Sequence, residues 1–249
     1  MFAQMAGAVA VITGGTTGIG AATRDLLRER GARVYNLDVR RDSCPGDYFI
    51  YCDVTAHESV SAAIGEVMKR EGRIDCLFAN AGIHRFANIE ETSVEEFETV
   101  LSVNLKGVFY TLKAVIPVMK AQMHGAILLM GSDQTLIGKG SSSVYGLTKA
   151  AIGQLAKSTA IDYAPFNIRV NCLCAGTTDT PLLENAVARY GELSGLQQHE
   201  IRSELDRAQP IDRIARPEEI ARVACFLLSE ESSYMTGALV AADGGYTAQ

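Results

Sequence analysis

Val11-Ile12-Thr13-Gly14-Gly15-Thr16-Thr17-Gly18-Ile19-Gly20 is the stretch on which the reading of this chain turns. An apolar run at 8–13 leads into it, and an amphipathic helical pattern at 18–30 leaves it and closes at Gly31. Glycines at 14, 18 and 20 allow a tight turn and close approach by a pyrophosphate. The anion then sits at the helix N-terminus, where amide donors and the helix dipole favour it. Glycine-rich strand-to-helix turns also arise for packing reasons, so the spacing Gly-x-x-x-Gly-x-Gly gains meaning only from its surroundings.

Outward from the turn, strand-like and helix-like segments alternate. Strand patterns lie at 33–38, 48–52, 74–80, 126–132, 168–174 and 238–242. Helical patterns lie at 56–71, 104–122, 144–163, 182–208 (broken near 191–195) and 217–228. One more helix begins near Ser93, with Ser93 as N-cap and Glu95 and Glu96 in its first turn. Such alternation implies right-handed βαβ crossovers and a parallel sheet covered on both faces. The continuous apolar strands fit burial on both sides. No Pro/Ser-rich linker and no internal repeat divides the chain. Residues 1–249 therefore read as one α/β domain with a Rossmann-like, doubly wound parallel sheet.

Composition narrows the function. Apolar residues make up 47% and charged residues 21% of the 249, enough for a substantial core, which argues against disorder or reliance on disulfides. The net charge is −6 and no basic block stands out, so the footprint of a nucleic-acid binder is missing. The most apolar stretches, such as 6–12 and 126–130, are far shorter than the roughly 18–20 residues of a membrane span. The N-terminus runs into a strand without a basic segment, so no signal peptide is expected. Cys44, Cys52, Cys76, Cys172, Cys174 and Cys225 sit mostly in apolar runs, and no second Cys or His pair completes a zinc set. They read as reduced thiols of a cytoplasmic protein that binds no metal.

Asp38 closes the second strand, 24 residues after Gly14, where a carboxylate can accept hydrogen bonds from both ribose hydroxyls of a dinucleotide. The same charge would repel a 2′-phosphate, which favours NAD over NADP. Arg40 and Arg41 keep the NADP alternative open, since either could swing back. Asp53-Val54 ends the third strand, level with adenine, and Asn80-Ala81-Gly82 ends the fourth.

Tyr145 and Lys149 share one face of a helix at i, i+4. A free phenol titrates near 10, too high for a base near neutrality. A neighbouring ammonium stabilises the phenolate and makes Tyr145 a usable acid/base group. Ser132, at the end of the preceding strand, can hydrogen-bond the same substrate oxygen.

With these residues in place, nearly the whole chain resembles the short-chain dehydrogenase/reductase family. The matching pieces are Thr13-Gly14-x-x-x-Gly18-x-Gly20, Asp53, Asn80-Ala81-Gly82, Asn104, Ser132, Tyr145-x-x-x-Lys149, Asn171 and Asp243-Gly244-Gly245. The gaps of 28 from Asn104 to Ser132 and 13 from Ser132 to Tyr145 are similar to those of the family's catalytic tetrad. The resemblance implies hydride transfer between substrate carbon and nicotinamide, with Tyr145 exchanging the proton and Ser132 polarising the oxygen. It further implies that Lys149 holds the ribose and that Asn104 anchors a proton-relay water. The expected cofactor contacts are Gly14, Thr16, Thr17, Gly18, Ile19, Gly20, Asp38, Asp53, Val54, Asn80, Ala81, Gly82, Tyr145 and Lys149. Thr178 and Thr180 complete the set by matching the family's carboxamide holders. Where the family has Pro-Gly after the sixth strand, this chain has Ala175-Gly176, and looser cofactor binding is expected.

The loops expected around the substrate offer His84, Asp133, Gln134, Ile137, Leu182 and Leu183. His84 reads as a loop residue. Asp133 and Gln134 either form a polar rim, suiting a polyol, sugar or diol, or face solvent. Segment 177–208 reads as a mobile lid. The sum is an NAD-dependent dehydrogenase of a small hydroxylated secondary alcohol. The alternatives are an NADPH-dependent carbonyl or 3-oxoacyl reductase and, in another class, a non-catalytic NAD-binding regulator. Apolar residues on more than one stripe of 104–122 and 144–163 point to a homotetramer.

Overall fold

The glycine turn joins β1 (Val9–Thr13), buried at every position, to α1 (Gly18–Glu29). The computed structural model describes residues 5–41 and 48–248. After α1 come β2 (Arg33–Asp38), β3 (Phe49–Tyr51), α2 (His57–Glu71), β4 (Cys76–Ala79), α3 (Val94–Leu101), α4 (Gly107–Gln122) and β5 (Gly125–Met130). The second half adds α5 (Ser143–Tyr163), β6 (Ile168–Ala175), α6 (Pro181–Ser194), α7 (Gln198–Ala208), α8 (Pro217–Leu228) and β7 (Leu239–Ala242). Among the described residues the seven strands form one sheet in the order β3-β2-β1-β4-β5-β6-β7, parallel throughout. Chain order reverses direction between β1 and β4. The C-terminal ends of these strands therefore flank the crevice where doubly wound sheets take their ligands.

Alternate strand residues face opposite sides. Val9 and Val11 join a core with Val60, Ile64 and Val67 of α2, Leu112, Val115 and Met119 of α4, and Ile152 and Ala156 of α5. Ala10 and Ile12 join the other, with Leu27 of α1 and Ile220, Ala224 and Leu228 of α8. Phe78, fully buried in this second core, contributes roughly 1.5–3 kcal/mol by leaving water. Asn171 of β6 ties the sheet to its last strand, accepting from Ala238 N at 3.0 Å and donating to Met235 O at 2.8 Å.

The helix expected at 104–122 differs from the structure. Ser93 caps α3 as read, accepting from Glu96 N at 3.1 Å, but α3 then runs into α4 through a π turn, Ser102–Lys106, with helical backbone at both joints. Asn104 lies inside this wide turn. The continuous run Val94–Gln122 is long and apolar enough to cross a membrane by length and composition. The inner face of α4 is nevertheless packed into the first core, which makes this a core helix.

The break expected near 191–195 falls between α6 and α7 at 195–197. Cys52, Cys76, Cys172, Cys174 and Cys225 are buried free thiols, and Cys44 lies outside the described residues.

Candidate active site

At the end of β1, Gly14 adopts φ +68° and Gly18 φ +58°, left-handed conformations that side chains disfavour. A Cβ on Gly14 would lie 2.8 Å from Ala81 Cα, so this glycine also lets two strand ends pack together. Asn36 locks the loop from β2, accepting from Gly15 N at 2.9 Å and donating to Thr16 Oγ1 at 3.0 Å. Sequence reading passed over Asn36, although a fully buried amide in an otherwise apolar strand is itself a signal. Thr17 begins α1 in extended conformation and its side chain makes no capping hydrogen bond. Such an uncapped, glycine-lined helix start suits a pyrophosphate. Ile19 packs against the core beneath α1, and a Cβ on Gly18 would lie 3.1 Å from Thr180 Cγ2, which places the loop beside the segment after β6.

Asp38 is 7% exposed; its Oδ2 accepts from Thr16 N at 3.1 Å and its Oδ1 from Arg40 N at 3.0 Å. Arg40 reaches over the loop, with Nη2 3.4 Å from Thr17 Oγ1, whereas Arg41 lies over the Phe49 ring at 5.9 Å. Asp53 Oδ1 accepts from the amide and hydroxyl of Thr55 at 2.9 and 2.7 Å, and Val54 is buried against Gly107. Asn80 clamps β4 to β1, donating from its amide nitrogen to Thr13 Oγ1 at 3.1 Å and from Nδ2 to Gly14 O at 2.9 Å. Ala81 N donates to the same Thr13 hydroxyl at 3.2 Å. Ala175 closes β6, buried and paired with Ala242. Thr178 and Thr180 turn their hydroxyls to local carbonyls, and Thr180 caps α6 by accepting from Leu183 N at 3.3 Å.

The four residues expected to act together converge. Lys149 Nζ stands 5.5 Å from the Tyr145 ring centroid and donates to Met130 O at 2.7 Å. Ser132 lies close enough to Tyr145 to influence its phenol. Asn104, 1% exposed, holds the Ile83 main chain and donates to Thr148 Oγ1 at 3.2 Å, and Thr148 in turn donates to Tyr145 O at 2.7 Å. Gly82 fits between them: a Cβ there would lie 3.5 Å from Asn104 Oδ1 and 3.8 Å from Lys149 Nζ.

Electrostatics depart from the simple expectation. Burial raises the Tyr145 pKa above its ordinary value; the Ser132 hydroxyl opposes this and the charge of Asp133 adds to it. Burial also lowers Lys149 to about 8, against an opposing influence of the Cys172 and Cys174 thiols. The ammonium, 5.5 Å from the Tyr145 ring centroid, is itself held by the Met130 carbonyl.

Asp133 and Gln134 are buried and do not face solvent. His84 is closer to the chemistry than a plain loop residue. Its ring meets Tyr145 edge-on at 4.5 Å, and its Nε2 lies 3.1 Å from Ser142 Oγ. Burial, then the charges of Lys139, Lys149 and Arg85, push its pKa down to about 4. Phe86 packs on His84 at 4.5 Å and on Tyr190 of α6 at 5.5 Å, extending an aromatic wall from Tyr145 to α6.

A family model described as Enoyl-(Acyl carrier protein) reductase matches residues 14–247. Cis-4-hydroxycyclohexanecarboxylate dehydrogenase of Sinomonas cyclohexanicum is 38% identical over 96% of both chains. Ligand-free aldohexose dehydrogenase of Thermoplasma acidophilum superposes with a TM-score of 0.93 at 33% identity, covering 100% of this chain and 97% of that one. A short chain dehydrogenase family protein of Francisella tularensis gives a TM-score of 0.90 at 36% identity over 98% and 100%. A glycine turn at the switch point, a Ser-Tyr-Lys cluster beside it and end-to-end similarity to these proteins converge: the chain belongs to the short-chain dehydrogenase/reductase family of nicotinamide-dependent oxidoreductases.

Proposed function

We propose that this protein is an NAD-dependent dehydrogenase of a small, hydroxylated, ring-shaped secondary alcohol. The observation that carries the reading is the placement of Ser132 and Tyr145 beside Lys149, at the same strand-end face of the sheet that carries Gly14 and Asp38. The bound dinucleotide supplies hydride exchange with the substrate carbon. Tyr145 moves the hydroxyl proton, Ser132 orients the substrate oxygen, and Lys149, with a pKa near 8, carries the ammonium that faces the ribose. Asn104 fixes the Ile83 main chain behind them. Gly14, the uncapped start of α1, Asp53-Val54 and Asn80-Ala81-Gly82 cradle the cofactor, with Thr178 and Thr180 at its nicotinamide end. Asp38 supports NAD because its buried carboxylate disfavours a 2′-phosphate.

Two of the similar proteins are named for ring alcohols, a hydroxycyclohexanecarboxylate and an aldohexose, which supports a ring substrate here. Helices α6 and α7 act as its lid, with Tyr190 closing on Phe86. Exposed Phe109 on α4 and Leu147 and Ile161 on α5 support a homotetramer; light scattering that gives a monomer at micromolar concentration would end that reading. Its buried free thiols suit the cytoplasm.

A panel of cyclic alcohols, assayed with NAD and NADP by absorbance of the reduced nicotinamide, tests substrate and cofactor together. Activity confined to long acyl substrates with NADPH would overturn the proposal. That second reading draws on Arg40, which leans across the loop where a 2′-phosphate would lie, and on the family model's acyl-carrier description.

A further inference from the structure

A buried polar atom without a partner is rare in a folded chain and calls for a reason. Among the described residues three buried side-chain atoms are in that position: Arg33 Nε, His84 Nδ1 and Gln134 Oε1. Arg33 Nε has the Glu71 carboxylate 2.8 Å away, an ion pair that accounts for it. The other two belong to side chains lying against the turn of α5 that carries Tyr145.

Gln134 is 8% exposed, and its main-chain N donates to Ser132 Oγ at 3.2 Å, which fixes the residue beside the site. Its Oε1 lies 3.0 Å from where a Cβ on Gly146 would stand, so the amide occupies the space that Gly146 leaves next to Tyr145. His84 meets the Tyr145 ring edge-on at 4.5 Å, with Nε2 3.1 Å from Ser142 Oγ and Nδ1 left over. Both groups are neutral, since an amide carries no charge and burial pushes His84 down to about 4. Lys139, whose charge also bears on His84, is already paired with Asp133 Oδ2 at 2.6 Å. A hydroxyl both donates and accepts and suits neutral partners of this kind. A carboxylate only accepts, brings a charge and is best met by a cation.

We propose that Gln134 is a specificity-determining residue that takes a second hydroxyl of the substrate, so that the site selects ring diols and polyols over ring alcohols with one hydroxyl and over hydroxy-carboxylates. This rests on the oxidoreductase reading above. The reacting hydroxyl stays with Ser132 and Tyr145, and the second one donates its proton to Gln134 Oε1. The last torsion of a glutamine is broad, and no partner among the described residues holds this oxygen, so it can turn to the incoming hydroxyl. In the unliganded protein the unpaired acceptor costs stability, a cost that binding sites carry for function.

The test compares wild type, Gln134→Met and Gly146→Ala in steady-state kinetics with cyclohexanol, cyclohexane-1,2-diol, cyclohexane-1,4-diol and 4-hydroxycyclohexanecarboxylate, and in thermal unfolding without ligand. Wild type should show a higher kcat/KM for one of the diols than for cyclohexanol or the carboxylate. Gln134→Met keeps the side-chain length and removes the amide. It should lower the ratio of kcat/KM for the better diol over cyclohexanol by about fivefold to tenfold, the scale of one hydrogen bond. Its thermal midpoint should hold or rise, because an unpaired buried acceptor has gone; an amide with a structural task would lower it. Gly146→Ala, inside α5, crowds the amide without altering it and should move the ratio the same way. An unmoved ratio or a fallen thermal midpoint in Gln134→Met, or a wild type that prefers the carboxylate to both diols, overturns the inference and leaves the oxidoreductase reading standing. Wild type that binds dinucleotide yet turns over none of these alcohols overturns both.

Discussion

Asn104 grips the main chain of Ile83 from both sides: Oδ1 accepts from Ile83 N and Nδ2 donates to Ile83 O, each at 2.9 Å. The loop after β4 is thereby fixed to the π turn between α3 and α4. Asn104→Ala leaves both Ile83 groups without these partners. It should lower stability by about 2–3 kcal/mol, read as a shift of the urea midpoint, with turnover falling as well. A midpoint within error of wild type would show that the clasp is dispensable.

Tyr145→Phe removes the hydroxyl assigned to proton exchange, which lies beside Ser132. Turnover of the best alcohol should fall by about 10²–10⁴-fold, the usual contribution of general acid–base catalysis. Dinucleotide affinity, read by fluorescence titration, should stay within a few-fold of wild type.

Lys149 gives a pH-dependent prediction. Its pKa is 10.5 in the ordinary state and about 8 in the folded chain. Between these values the unfolded chain holds a proton that the folded chain has released, so stability rises with pH. Below about 8 the buried ammonium is a liability. Lys149→Met should therefore abolish activity yet raise stability at neutral pH by an amount on the order of 1–3 kcal/mol, read as a higher thermal midpoint. The gain should fade as pH rises from 8 toward 10.5. A variant less stable than wild type at neutral pH would refute the assignment.

Asp38→Ala should shift the ratio of kcat/KM for NAD over NADP toward NADP by about tenfold or more, once the buried charge no longer opposes a 2′-phosphate. Arg40, already 3.4 Å from Thr17, would then be free to meet the phosphate. An unchanged ratio would mean that cofactor choice is made elsewhere.

Much of the architecture was legible because it is written in short periods. The glycine turn, the apolar strands and the Ser93–Glu96 cap each depend on neighbours within a few residues. The spacing of Tyr145 and Lys149 likewise needs only one helical turn. What escaped are contacts between distant segments: Asn36 holding the loop 20 residues before it, Asn104 holding Ile83, and His84 lying against Tyr145. The π turn escaped for another reason, since residues 102–106 carry no proline or glycine to mark a change in helical pitch.

By itself the sequence determined the strand–helix alternation, the nucleotide-type turn and the identity of a Ser-Tyr-Lys set, because periodicity and local spacing encode them. The tertiary structure alone decided how those groups behave. It anchored the Lys149 ammonium on Met130 O beside Tyr145, and it buried Asp133 against Ser132 where solvent was an open alternative. Proton affinities and hydrogen-bond directions depend on which distant atoms exclude water from a group, and that is settled only when the chain has folded.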